Sequence, residues 1–185
     1  MYKLIRLVFI TAILFMASES HAQKAKAKLA YEMRDLNKLI GIWESSATIT
    51  VDSVPHKVTY RMNFRKTADG YGMNMDEAYS DSVLGNMRGS CLIGFGYNDS
   101  KIHWYCVDNM GHSYERIGQW NDSDNLSFTY TSKQGDKKYD EVLSYAFKGN
   151  DEFTYSHAAY LDGKELKKVT GKFKRRVMSV PQPRK

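Results

Sequence analysis

The side chains in this sequence that could do chemistry are mostly tyrosines set at alternate positions among apolar residues. Tyr60, Tyr114, Tyr130, Tyr139, Tyr145 and Tyr155 follow this pattern, and Met62, Arg116, His157 and Arg175 share it. A period of two is the mark of a strand face, so these residues point the same way as their apolar neighbours. Phenols offer a ring face and one hydroxyl, and Arg offers a fork of donors for an acid group. Such a set suits binding of an amphipathic molecule that carries an acid group. No catalysis is inferred, and an enzyme is the less favoured reading.

Sites built on recognisable motifs are missing. No phosphate-binding loop, H-E-x-x-H, C-x-x-C or G-x-S-x-G occurs. Gly94-Phe95-Gly96 lacks the third glycine of a dinucleotide loop and lies within a strand pattern. Asp76-Glu77, Asp140-Glu141 and Asp151-Glu152 are adjacent in sequence, so on strands each pair splits between opposite faces. Asn121 to Asn125 reads as a solvated turn before a calcium loop. The five histidines show no metal-ligand spacing, and no metal site is expected.

The elements that must position these side chains are strands. Trp43, Ser45, Ala47, Ile49 and Val51 alternate with Glu44, Ser46, Thr48, Thr50 and Asp52. Val58, Tyr60, Met62 and Phe64 alternate with charged or polar residues, and Met73 and Met75 follow the Asp69-Gly70 turn. Further strands are predicted at 87–97, 101–108, 113–120, 126–132, 138–147, 152–160 and 164–177. Turns rich in Gly, Asn and Asp separate them. About ten strands with hairpin-length loops predict an all-β, closed, antiparallel up-and-down barrel, because closure hides the sheet edges. A barrel of that width can leave room for a ligand, or side chains can fill it. Before the strands, Leu29, Met33, Leu36 and Ile40 share the face of a short helix over 24–40, ended by Gly41. The basic run 164–176 reads mostly as an outward strand face.

Two cysteines sit one hairpin apart. If Asn98-Asp99 is a two-residue turn, Cys91 faces Cys106 at a hydrogen-bonded position with Cα atoms about 5.5 Å apart. A bridge is then within reach. A four-residue turn would instead set Cys91 opposite Asp108. Two buried thiols are the expectation, with the disulfide as the alternative.

Residues 1–22 read as a signal peptide. Lys3 and Arg6 precede an apolar run from Leu7 to Ala17 that is short for a membrane span, and Ser20-His21-Ala22 supplies small residues at the cleavage positions. The expectation is export to a periplasm or beyond, no transmembrane span after cleavage, one domain over 23–178 and a disordered tail at 179–185. Losing Lys3, Arg6 and Glu19 lowers the formal charge of +6 by one. The remaining charge is scattered, so no nucleic-acid partner is expected. A monomer or weak dimer is expected.

Gly41-Ile42-Trp43 has the G-x-W form that opens lipocalins and related calycins, where the Trp packs on an Arg of the last strand. Arg175, on the inward face with Val169, Gly171 and Phe173, matches that Arg. With Gly94-Phe95-Gly96-Tyr97-Asn98, His103 to Gly111, Gly118-Gln119-Trp120 and Lys174-Arg175-Arg176, the pattern resembles a bacterial lipocalin-like family of unknown function. The resemblance implies the barrel and a small hydrophobic or amphipathic ligand in its lumen. No cofactor is inferred from it. Distantly similar are fatty-acid-binding barrels and the nitrobindins, whose haem is held by a His near the C-terminal end. By that likeness His157 would be the haem ligand. The chain departs from nitrobindins at Glu44-Ser45-Ser46, where they carry glycines. A partner-binding barrel with a filled interior is the remaining alternative.

Overall fold

A computed structural model describes residues 33, 35–96 and 98–176. The expected signal segment, most of the predicted helix and the expected C-terminal tail lie outside the described residues. Ten strands follow one another: β1 (Gly41–Val51), β2 (Val54–Thr67), β3 (Gly72–Asp81), β4 (Gly85–Gly96), β5 (Lys101–Asp108), β6 (Ser113–Trp120), β7 (Asn125–Gln134), β8 (Lys137–Phe147), β9 (Glu152–Leu161) and β10 (Lys164–Arg175). Each pairs antiparallel with its neighbours in sequence, and β10 returns to β1, so the sheet closes into a barrel. The alternation seen in the sequence is the cause. Trp43, Ser45, Ala47 and Ile49 of β1 are buried, as are Val58, Tyr60, Met62 and Phe64 of β2. A closed ring leaves no unpaired edge.

Up-and-down order puts the hairpins β1–β2, β3–β4, β5–β6, β7–β8 and β9–β10 at one pole, with the other four turns and both ends of the sheet at the opposite pole. The second pole is sealed. Helical turns at Met33 and Asp35–Leu36 lead into a 3-10 turn at Asn37–Leu39, and Met33, Leu36 and Leu39 are buried. The Trp43 indole donates to the Leu39 carbonyl at 2.6 Å, which fixes this plug to β1. Phe153 stacks on Phe173 at 5.1 Å and meets Trp43 at 4.6 Å, filling the space beneath. Gly41 follows the helical turn as expected, but its role is wider. Its φ is +124°, and a Cβ there would lie 2.8 Å from the Arg175 guanidinium. Glycine is needed to let that side chain cross.

Cys91 and Cys106 are bonded, which overturns the expectation of two free thiols. They pair directly across β4 and β5, in the register of the shorter turn. Their Cα atoms are 4.1 Å apart, closer than a hydrogen-bonded pair would hold them. The turn explains the difference. The Ser100 amide donates to Gly96 carbonyl at 2.9 Å, closing a longer turn that keeps the register and shifts the hydrogen-bonding phase by one residue.

Among the described residues, no helix is long and apolar enough to cross a membrane.

Candidate functional site

The barrel is packed near the sealed pole and hollow toward the other. A cavity of about 510 Å³ runs from Trp104, Leu143 and Tyr145 in its floor to the β5–β6 loop at Met110–Ser113 and Gln134 of β7 at its mouth. The alternative of an interior filled throughout therefore does not hold. A volume of this size lies within the usual range for small-molecule sites.

Tyr60, Tyr114, Arg116, Tyr130, Tyr139, Tyr145, Tyr155 and His157 all line this cavity, as their alternation predicts. Two sequence candidates lie elsewhere. Met62 pairs with Trp43 at the sealed level and is wholly buried there, outside the lining. Arg175 belongs to the seam between β1 and β10, where its guanidinium covers the Trp43 ring at 4.3 Å.

The rings form a continuous wall. Trp104 stacks on Tyr145 at 5.8 Å, Tyr145 meets Tyr155 at 5.2 Å, Tyr155 meets Tyr60 at 6.1 Å and Tyr60 meets Tyr79 at 5.6 Å. Nearer the mouth, Tyr114, Tyr130 and Tyr139 follow one another at 6.1 and 6.2 Å.

A buried charge pair crosses this wall. Arg116 donates to Glu141 Oε2 from Nε at 2.9 Å and from Nη2 at 2.6 Å, and the Tyr139 hydroxyl donates to Oε1 at 2.7 Å. The guanidinium also lies 4.2 Å from the Tyr114 ring. Burial pushes the Glu141 carboxyl up, but His157, Arg116 and Tyr139 outweigh burial and hold it well below the ordinary range. Burial likewise works against the Arg116 charge, and Glu141 more than restores it. Arg116 is therefore committed within the protein and is not a free receptor for an acid group. Burial pushes the Tyr114 phenol up to about 12.

His157 Nε2 lies 3.3 Å from Glu141 Oε2, close enough for its N–H to favour the carboxylate although the angle for a hydrogen bond is poor. Burial lowers its pKa, so the ring is neutral at pH 7 although Glu141 opposes that shift. These residues do not fit a haem. The nitrogen that would meet iron faces a carboxylate already bound to Arg116, and a metal there would displace a buried ion pair. Among the described residues, no cluster of three or more His, Cys, Asp or Glu is placed to hold a metal ion.

Three groups that sequence reasoning missed also line the cavity. Glu77 accepts a hydrogen bond from Tyr60, whose phenol burial pushes well above its usual range, with Glu77 adding to the shift. Glu141 is the second and Lys167 the third. Their signal was present. Glu77 continues Met73 and Met75, Glu141 lies between Tyr139 and Leu143, and Lys167 continues Val169 and Gly171 at the same spacing. Asp76-Glu77 and Asp140-Glu141 do split between faces, which sends one carboxylate of each inward, whereas Asp151 precedes β9.

Neither a protein-family model nor a curated protein matches the chain. Among solved structures it is similar to an S-type phycobiliprotein lyase, CPES, from Guillardia theta, with 13% identity over 83% of this chain and 98% of that one and a TM-score of 0.53. It is also similar to a redesigned β-barrel at 12% identity, 78% and 96% coverage and a TM-score of 0.43. A protein of unknown function of the DUF3598 family from Nostoc punctiforme matches at 6% identity, 78% and 99% coverage and a TM-score of 0.22. At 13% identity the likeness to the lyase is one of fold. The closed ten-stranded meander defines a lipocalin-like, calycin-type barrel.

Proposed function

We propose that this protein binds a small amphipathic molecule in its lumen. The observation that carries this reading is the cavity of about 510 Å³, reached from one pole and walled by tyrosines. A ligand's apolar body would lie against Trp104, Leu143, Tyr145 and Tyr155, where ring faces give large contact area at low entropy cost. Its polar end would meet Glu77, Lys167 and the phenols nearer the mouth. Because Arg116 is neutralised by Glu141, the pull on an acid group is weaker than the side-chain types alone suggest. A barrel of this kind named a phycobiliprotein lyase is compatible with a small-molecule site.

Export is part of the proposal. The segment 1–22 supports it, and so does the Cys91–Cys106 bridge, since disulfides persist in oxidising compartments.

The test is native mass spectrometry of protein purified from its own host, beside an Ala159→Trp variant that fills the lumen. A small-molecule mass that accompanies the wild type and is missing from the variant supports the reading. An empty wild type that also takes up no hydrophobic dye overturns it.

A further inference from the structure

The lumen holds two opposite-charge arrangements that differ in one respect. Arg116 and Glu141 are in contact. Glu77 and Lys167 both line the cavity, yet among the described residues Lys167 has no carboxylate within ion-pair distance. Its ammonium lies 5.8 Å from the centre of the Tyr79 ring. A bulge in the pairing of β10 with β9 falls between Glu165 and Lys167, and beyond it Lys167 is half-buried on the inward face. Of the charges around it, Glu77 acts on it most strongly, followed by Glu141 and Asp108, with Arg116 opposing.

We propose that Lys167 is a covalent capture point, its amine condensing with a small aldehyde or ketone held in the cavity to form an imine. This rests on the lumen being a ligand site. The nitrogen lone pair adds to the carbonyl carbon, the two protons of the amine pass to the carbonyl oxygen, and that oxygen leaves as water as its bond to carbon breaks. A C=N bond remains, with no oxidant or reductant involved. A protonated imine carries the same charge as the ammonium it replaces, so Glu77 serves both as counter-charge. An added acid group would instead bring a further negative charge beside Glu77.

Physical chemistry favours this lysine over those on the surface. Only the uncharged amine attacks a carbonyl, and a lysine desolvated in a pocket is more often uncharged. Burial lowers the pKa of Lys167 in this way, although Glu77 works against it. The aromatic wall would hold a conjugated carbonyl compound near the amine.

The experiment treats the purified protein with cinnamaldehyde below one equivalent, reduces with borohydride and maps the peptides. The expected result is an adduct concentrated on Lys167 and lost in Lys167→Arg. The Arg variant keeps the charge and is checked for an unchanged melting curve. An adduct spread over surface lysines, or one that the variant does not alter, overturns the inference. Anilinonaphthalene sulfonate separates this from the broader reading. Dye that enters wild type but not Ala159→Trp, without trapping at Lys167, sinks only the imine. Dye that never enters sinks the ligand site as well.

Discussion

The Arg175 guanidinium lies 4.3 Å from the centre of the Trp43 ring, and the two residues face each other across the seam where the last strand meets the first. The same guanidinium donates to the carbonyls of Lys38 at 3.0 Å, Asn150 at 2.6 Å and Ile40. One side chain therefore joins the plug, the β8–β9 turn and the seam. Arg175→Met should lower stability by about 2 kcal/mol or more, from the lost cation–π contact and carbonyl bonds. Arg175→Lys should recover only part, since an ammonium lacks the planar fork. Urea midpoints of the three proteins check this; equal midpoints would refute it.

Glu141 and Arg116 make the second prediction. Glu141→Ala leaves a guanidinium buried without its partner and should cost about 3–5 kcal/mol. Replacing both with Leu and Met removes both desolvation terms and should cost much less. Denaturant melts of the single and double variants would show the gap, and additive losses would contradict it.

Joining Cys91 to Cys106 closes a loop with a sequence separation of 15. Its loss in Cys91→Ser/Cys106→Ser should cost about 3 kcal/mol. Mass spectrometry without reductant should find no free thiol in the wild type.

Acid should weaken the fold in two stages. Burial holds His157 below the usual 6.5, so its stabilising effect is complete above about 6.5 and is lost as pH falls through the folded value. Glu141, held below the usual 4.5, adds a second loss beginning near that value. His157→Gln should remove the first stage and leave the second. His103 acts oppositely on the outer wall. Its hydrogen bond to Glu115, joined by one to Asp99, raises its pKa. That contribution is complete below about 6.5 and fades as pH rises through the folded value. Thermal melts from pH 2 to 8 of the wild type, His157→Gln and His103→Gln would separate these contributions.

Much of this architecture was legible because period two is a simple code. The ends of β5 and β6 match their turn residues, and the pairing of Trp43 with Arg175 is the one the resemblance to calycins implies, with both residues on inward faces. The rings, Arg116 and His157 are legible in the alternation, whereas the carboxylates and Lys167 are not. The chain neighbours of Glu77 and Glu141 are the outward Asp76 and Asp140, and only the residues two places away mark the inward face. Lys167 was lost inside a basic run that is outward at Lys168, Lys172 and Lys174. That Arg116 is committed to Glu141 needs strands β6 and β8 brought together through β7, which no local spacing reveals. The bonded cysteines depended on the phase of one turn.

Trp43 and Arg175 lock the pole from which the chain enters β1 and leaves β10. A tether or a fused domain joined directly after Arg176 would thus approach from behind. The β5–β6 and β7–β8 loops around the opening would stay clear, and could be lengthened or exchanged to retune selectivity without disturbing the lock.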